Sequence, residues 1–184
     1  PRLSRGFLFM ANPYFAFQLH ITDACDQRCK HCYIFSENNN KPLDQMTWEQ
    51  LEQVLANCQD FCRQFGRTPY FYITGGDPIL HPHFWQFCER LKSANIPFTI
   101  LGNPFHLTEQ VCSRLKTCGC EKYQLSLDGL KKTHDWFRKP GSYKTTLEKI
   151  AMIKKFWAAG TPINFIEEAT GLSKEQIEGI IKAD

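Results

Sequence analysis

The stretch TWEQLEQVLANCQDFCRQFGRTPYFYITGGDP, residues 47–78, decides the fold. Thr47-Trp48-Glu49-Gln50 has the form of a capping box, in which the Thr and Gln side chains satisfy the first free amides of a helix. After it, Leu51, Val54, Leu55, Cys58, Phe61, Cys62 and Phe65 recur at helical spacing, which predicts one inward face. Gly66 stops that helix. Tyr70–Thr74 then predicts a short strand, broken by Gly75-Gly76-Asp77-Pro78. Working outward, the same alternation continues. Tyr14–Thr22 reads as a strand upstream. Downstream come a helix over His83–Ala94 with Phe84, Phe87, Cys88 and Leu91 inward, a strand at Ile96–Leu101, and a helix that Thr108 caps and that runs to about Cys118. A strand at Tyr123–Leu127, a helix at Ser142–Ala159 and a strand at Ile163–Ile166 complete the pattern. Repeated β-then-α units argue for a parallel sheet with crossover helices, because parallel neighbours need a long crossover. With about four to five such units and no dinucleotide fingerprint, the expectation is an α/β fold of the partial (β/α) TIM-like barrel type. A doubly wound open sheet is the alternative.

The 184 residues suffice for one domain with a sizeable core, and 42% hydrophobic with 22% charged residues is ordinary for a globular chain. A formal charge of +3 is too small to imply nucleic acid or an anionic membrane as partner. No apolar run reaches the roughly 20 residues that cross a bilayer, and residues 7–21 lack the flanks of a signal peptide. Nine cysteines without an export signal favour thiolate ligands in a reducing, cytoplasmic setting over a disulfide scaffold. Cys58, Cys62, Cys88 and Cys112 fall on inward helix faces and read as buried structural thiols. Cys118 and Cys120 are undecided. His81 and His83 flank Pro82 and read as loop packing and helix capping.

The other three cysteines carry the chemistry. Cys25-Asp26-Gln27-Arg28-Cys29-Lys30-His31-Cys32-Tyr33 spaces them as C-x₃-C-x₂-C directly after the first strand, on the side where barrels place their sites. Thiolates are the usual ligands of iron–sulfur clusters, and a cubane normally takes four. Three local thiolates leave one iron open to a chelating small molecule, as an open position does in catalytic zinc sites. The competing reading is a zinc ion with His20 or His31 as fourth ligand. Zinc motifs usually come as two separated pairs, and no second pair is evident.

The run C-x₃-C-x-H-C-Y, followed after the second strand by Gly75-Gly76-Asp77-Pro78, closely resembles the radical S-adenosylmethionine superfamily. Within it the chain looks most like peptide maturases that carry a C-terminal SPASM domain; Ser126-Leu127-Asp128-Gly129, His134-Asp135 and Arg138 fit that pattern. The likeness runs from about Phe15 to Pro162. It implies that Cys25, Cys29 and Cys32 ligate a [4Fe–4S] cluster. It implies that His31 meets the adenine through its backbone and that the Gly75–Pro78 backbone accepts the methionine amino group, with Asp77 where Glu is commoner. Ser126 and Arg138 match positions that contact the methionine carboxylate or ribose, and Asn103 is a further candidate for the same cavity. The implied activity is reductive cleavage of S-adenosylmethionine to a 5′-deoxyadenosyl radical, which cross-links a ribosomally made peptide. A flavodoxin or ferredoxin would donate the electron. A non-catalytic iron–sulfur or zinc module, or an enzyme acting on a sulfatase or a small molecule, are the other readings.

The pattern fades beyond Pro162. Residues 1–13 read as a lead-in, 14–166 as an incomplete core, and Glu167–Asp184 as a helical tail capped by Ser173 and Gln176, with Leu172, Ile177, Ile180 and Ile181 apolar. No sixth unit, auxiliary-cluster cysteines or SPASM domain is expected, and a missing unit would expose a sheet edge.

Overall fold

A computed structural model describes residues 13–35 and 42–157. The lead-in, Asn38-Asn39-Asn40, the strand expected at Ile163–Ile166 and the tail all lie outside the described residues.

The elements run β1 (Tyr14–His20), α1 (Trp48–Gln64), β2 (Thr68–Thr74), α2 (Phe84–Ser93), β3 (Phe98–Leu101), α3 (Glu109–Thr117), β4 (Cys120–Gln124), α4 (Lys131–Phe137) and α5 (Ser142–Trp157). The four strands pair in the order β1-β2-β3-β4, every pair parallel. Strictly sequential order separates the two expected architectures. A doubly wound sheet reverses its strand order at a switch point, whereas a barrel winds on in one direction.

Local chemistry sets the boundaries. At α1 both halves of the expected capping box form: Gln50 N–H donates to Thr47 Oγ1 and Thr47 N–H to Gln50 Oε1, at 3.2 and 2.7 Å. Leu51, Leu55, Cys58 and Cys62 are buried, but Phe61 and Phe65 are exposed, so the inward stripe is narrower than the spacing predicted. β2 starts two residues earlier than expected. Pro69, which has no amide to donate, sits in the part of β2 that pairs only with β1, because β3 pairs with Phe71–Ile73.

β1 ends at His20 rather than Thr22; Thr22 instead bridges Gln45 in antiparallel fashion. β4 is the larger correction, occupying Cys120–Gln124 rather than Tyr123–Leu127. Gly119, at φ +89°, ends α3 and turns the chain straight into the strand, so β4 begins and ends three residues early. α4 is an element that the sequence pattern does not predict. Thr108 caps α3 through Val111 N–H as expected. His81 packs as a loop residue, its Nε2 2.8 Å from the Met46 carbonyl, whereas the His83 side chain makes no capping bond to α2.

Register gives the sheet two unlike faces. Phe17, Phe71 and Phe98 line up across β1–β3, as do Leu19, Ile73, Ile100 and Tyr123 across all four strands. These rows pack with Leu51, Leu55, Phe84, Phe87, Leu91, Leu107 and Leu115 into the core. The opposite face carries the row Gln18, Tyr72, Thr99 and Lys122. Cys58, Cys62, Cys88 and Cys112 are buried free thiols, as expected, and so are Cys118 and Cys120.

Candidate functional site

Parallel strands deliver their C-terminal ends to one rim of the sheet, and the chemistry collects there. β1 leads into the cysteine loop. β2 leads into Gly75-Gly76-Asp77-Pro78, β3 into Asn103, and β4 into Ser126–Asp128.

The first two of these segments are locked together. Gly76 N–H donates to the Thr22 carbonyl and Asp77 N–H to the Ala24 carbonyl, both at 2.7 Å. A Cβ on Gly75 would lie 2.3 Å from the Thr22 carbonyl oxygen. One on Gly76 would lie 2.4 Å from that of Ala24 and 2.6 Å from that of Asp23. The missing side chains therefore serve first the close contact between the β2 turn and the stem of the cysteine loop.

Asp77 is fully buried at the centre of this contact. Its Oδ1 accepts from Ile79 N–H, and Pro78 opens the short 3₁₀ turn that follows. Its Oδ2 is buried with no partner. Burial pushes the carboxyl up to about 7, against the lowering effect of the Ile79 amide and with a further rise from Asp26. Asp26, Asp77 and His106 bring one ligand atom each within 4.8 Å of one another. Asn103 Nδ2 donates to Asp26 Oδ1 at 2.9 Å and approaches Cys25 Sγ at 3.7 Å, so it ties this acidic cradle to the cysteine loop. An orphaned buried carboxylate oxygen beside a second carboxylate calls for a cationic donor, which an α-ammonium supplies.

Cys25, Cys29 and Cys32 are half-buried free thiols. Burial pushes Cys25 up to about 11; it also raises Cys29, where Arg138 acts in the opposite direction. The three sulfurs are not gathered within 4.8 Å of one another. Thiolates sharing one zinc ion at about 2.3 Å in tetrahedral geometry would lie roughly 3.8 Å apart. Neither proposed fourth ligand is placed for zinc. His20 has Nε2 on Asp23 and Nδ1 on the Tyr33 hydroxyl, both at 2.9 Å. His31 sets its ring edge-on to Phe137, with Nε2 4.0 Å from Asp128. Three thiolates are the donor type that iron–sulfur clusters usually take.

Arg138 is not a solvated surface arginine; its side chain is 15% exposed. Nε and Nη2 grip the Asp128 carboxylate, and Nη1 reaches Cys29 Sγ at 3.8 Å. Ser126 is exposed on the loop after β4. Structure thus brings the cysteines, Gly75–Pro78, Asn103, His31 and Arg138 to one rim. It adds Asp26 and His106, which sequence reading passed over. Asp26 lies hidden inside the cysteine spacing, and a lone His106 after Pro104 carries no pattern at all.

The family profile described as "Radical SAM superfamily" matches residues 19–168, most of the chain. The chain belongs to the radical SAM superfamily. Members of this enzyme superfamily use a [4Fe–4S] cluster and S-adenosylmethionine. Among curated relatives, the AdoMet-dependent heme synthase of Methanosarcina barkeri is 26% identical over 164 residues, covering 88% of this chain and 44% of that protein. Mycofactocin maturase MftC of Mycobacterium tuberculosis is 24% identical over 169 residues, covering 90% and 41%. The radical SAM chain thus spans less than half the length of these relatives. Among solved structures, Streptococcus suis SuiB bound to S-adenosylmethionine superposes with a TM-score of 0.61 at 15% identity, covering 77% of this chain and 31% of SuiB. Native anSMEcpe with bound AdoMet gives 0.62 at 17%, covering 78% and 42%. At such identities the likeness speaks for the fold, and it agrees with a partial TIM-like barrel.

Proposed function

We propose that this chain holds a [4Fe–4S] cluster on Cys25, Cys29 and Cys32 and binds S-adenosylmethionine beside it to modify a peptide. The observation that carries this reading is the β2 turn locked onto the cysteine loop with the unpaired Asp77 Oδ2 buried at the contact. When bound, cluster and S-adenosylmethionine together supply a hydrogen-abstracting 5′-deoxyadenosyl radical.

The chain's own residues bind and orient. Asp77, with Asp26 beside it, receives the methionine ammonium, and the Gly75–Pro78 backbone lines that subsite. Asn103 holds Asp26 in place from β3. The His31 backbone faces the adenine. Ser126 and Arg138 close the β4 side toward carboxylate or ribose. Nine free thiols suit a reducing, cytoplasmic compartment, where a flavodoxin or ferredoxin would donate the electron.

The peptide assignment draws on MftC and on SuiB, which is known bound to its precursor peptide SuiA. The heme synthase relative makes a haem precursor the rival substrate. Anaerobic reconstitution, metal and sulfide analysis, and assay for 5′-deoxyadenosine under dithionite test the core reading. Iron and sulfide at about four per chain, with 5′-deoxyadenosine formed, are expected. Zinc alone, or a cluster that never yields 5′-deoxyadenosine, would refute it. Turnover with candidate precursor peptides against porphyrins then decides the substrate class.

A further inference from the structure

The cysteine loop is held from the β4 side by the unanticipated helix α4. The Phe137 carbonyl at its end accepts from Lys30 N–H at 2.8 Å, within the cysteine run. The next residue, Arg138, turns its guanidinium between two partners of opposite kind. Nε and Nη2 bind both Asp128 oxygens, and Nη1 lies 3.8 Å from Cys29 Sγ. Asp128 is itself oriented, because its backbone N–H donates to Nδ1 of the fully buried His134 at 3.1 Å. The resemblance gives Arg138 a role toward S-adenosylmethionine. The geometry gives it a second one, on the sulfur side.

We infer that Arg138 and Asp128 form a charge pair that sets the reduction potential of the cluster held by Cys29. This inference rests on the cluster reading above. One-electron reduction takes [4Fe–4S]²⁺ to [4Fe–4S]⁺, with the electron coming from a low-potential donor and no proton required. The added negative charge is stabilised by a guanidinium donor on a ligand sulfur and opposed by a carboxylate behind it. Arg138 therefore raises the potential, and Asp128 holds that rise in check. Both side chains are largely shielded, at 15% and 26% exposed, so water screens them only in part.

The two residues have opposite signs, which makes the test sharp. The full chain is reconstituted anaerobically as wild type, R138Q, R138K and D128N. Each is titrated electrochemically without S-adenosylmethionine, the reduced cluster being counted by EPR. R138Q should lower the ratio of reduced to oxidised cluster at fixed ambient potential about tenfold, some 59 mV for a one-electron couple. D128N should shift it in the other direction, and R138K should stay near wild type. A merely structural role would move R138Q and D128N together, or neither. Either result, in chains with wild-type iron and sulfide content, overturns the inference and leaves the cluster reading standing. Should R138Q assemble no cluster, a D128N potential at or below wild type overturns it alone. A wild type that takes up no iron or sulfide removes the cluster reading, and this inference with it.

Discussion

Gly76 governs how closely the β2 turn can approach the cysteine loop. In G76A the new methyl group would meet two backbone carbonyl oxygens, at 2.4 and 2.6 Å, neither of which can rotate away like a flexible side chain. The loop stem and the turn must separate, which costs on the order of 1–3 kcal/mol and displaces Asp77. We expect G76A to fold with a lowered melting temperature and to bind S-adenosylmethionine at least tenfold more weakly; equilibrium dialysis on reconstituted chain checks the second point, and unchanged affinity would count against the proposed subsite. Single Ser replacements of Cys25, Cys29 or Cys32 should each remove most iron and sulfide, read by metal analysis. The corresponding change at Cys112, a buried thiol on α3, should leave cluster content intact.

At the level of helices and strands, packing and caps divide the work. Phe87 on α2 is fully buried and faces Phe71 of β2, with ring centroids 6.3 Å apart. F87A should cost about 3–5 kcal/mol through lost burial and a residual cavity, seen as a lower denaturant midpoint. T47A removes the reciprocal cap of α1 and should cost about 1 kcal/mol, an effect confined to stability. These elements were legible because each has its own local signal: a cap, a 3.6-residue apolar period, a stopping glycine. α4 has none. It has seven residues, no side-chain capping bond and one buried residue, His134. Its position comes from contacts made elsewhere, through Asp128 and the Lys30 amide. β4 departs from its expected place for a related reason, since Leu125 and Leu127 continue an apolar alternation that the sheet does not use.

For the molecule as a whole, the buried carboxyl group of Asp77 links the site to stability. Its carboxyl is pushed up to about 7 in the folded chain, against about 3.9 when unfolded. Between those values the folded state holds the extra proton, so this group's contribution to stability falls as pH rises from about 4 to about 7. His81 and His134, both held below their ordinary range by burial, act in the opposite sense, losing stability as pH falls through the usual histidine range. The difference between wild type and D77N isolates the carboxylate. D77N, in the apo chain, should gain on wild type as pH is raised from 4 to 7; parallel melting curves over that range would mean that Asp77 is solvated or paired. Among the described residues no helix is long and apolar enough to cross a membrane. β1 and β4 stand at the two sides of the described sheet.

The βα alternation, the capping box of α1 and the cysteine spacing could all be read from the chain, because they depend on periods and intervals of a few residues. So could the Gly-Gly-Asp-Pro break after β2. The sequential strand order, the Asp26–Asp77–His106 cradle and the grip of Arg138 on both Asp128 and Cys29 could not. The cradle joins residues from three strand ends, and Arg138 lies 109 positions from the sulfur it approaches. Such contacts form only when parallel pairing carries those strand ends to one rim, and no short-range pattern encodes that meeting.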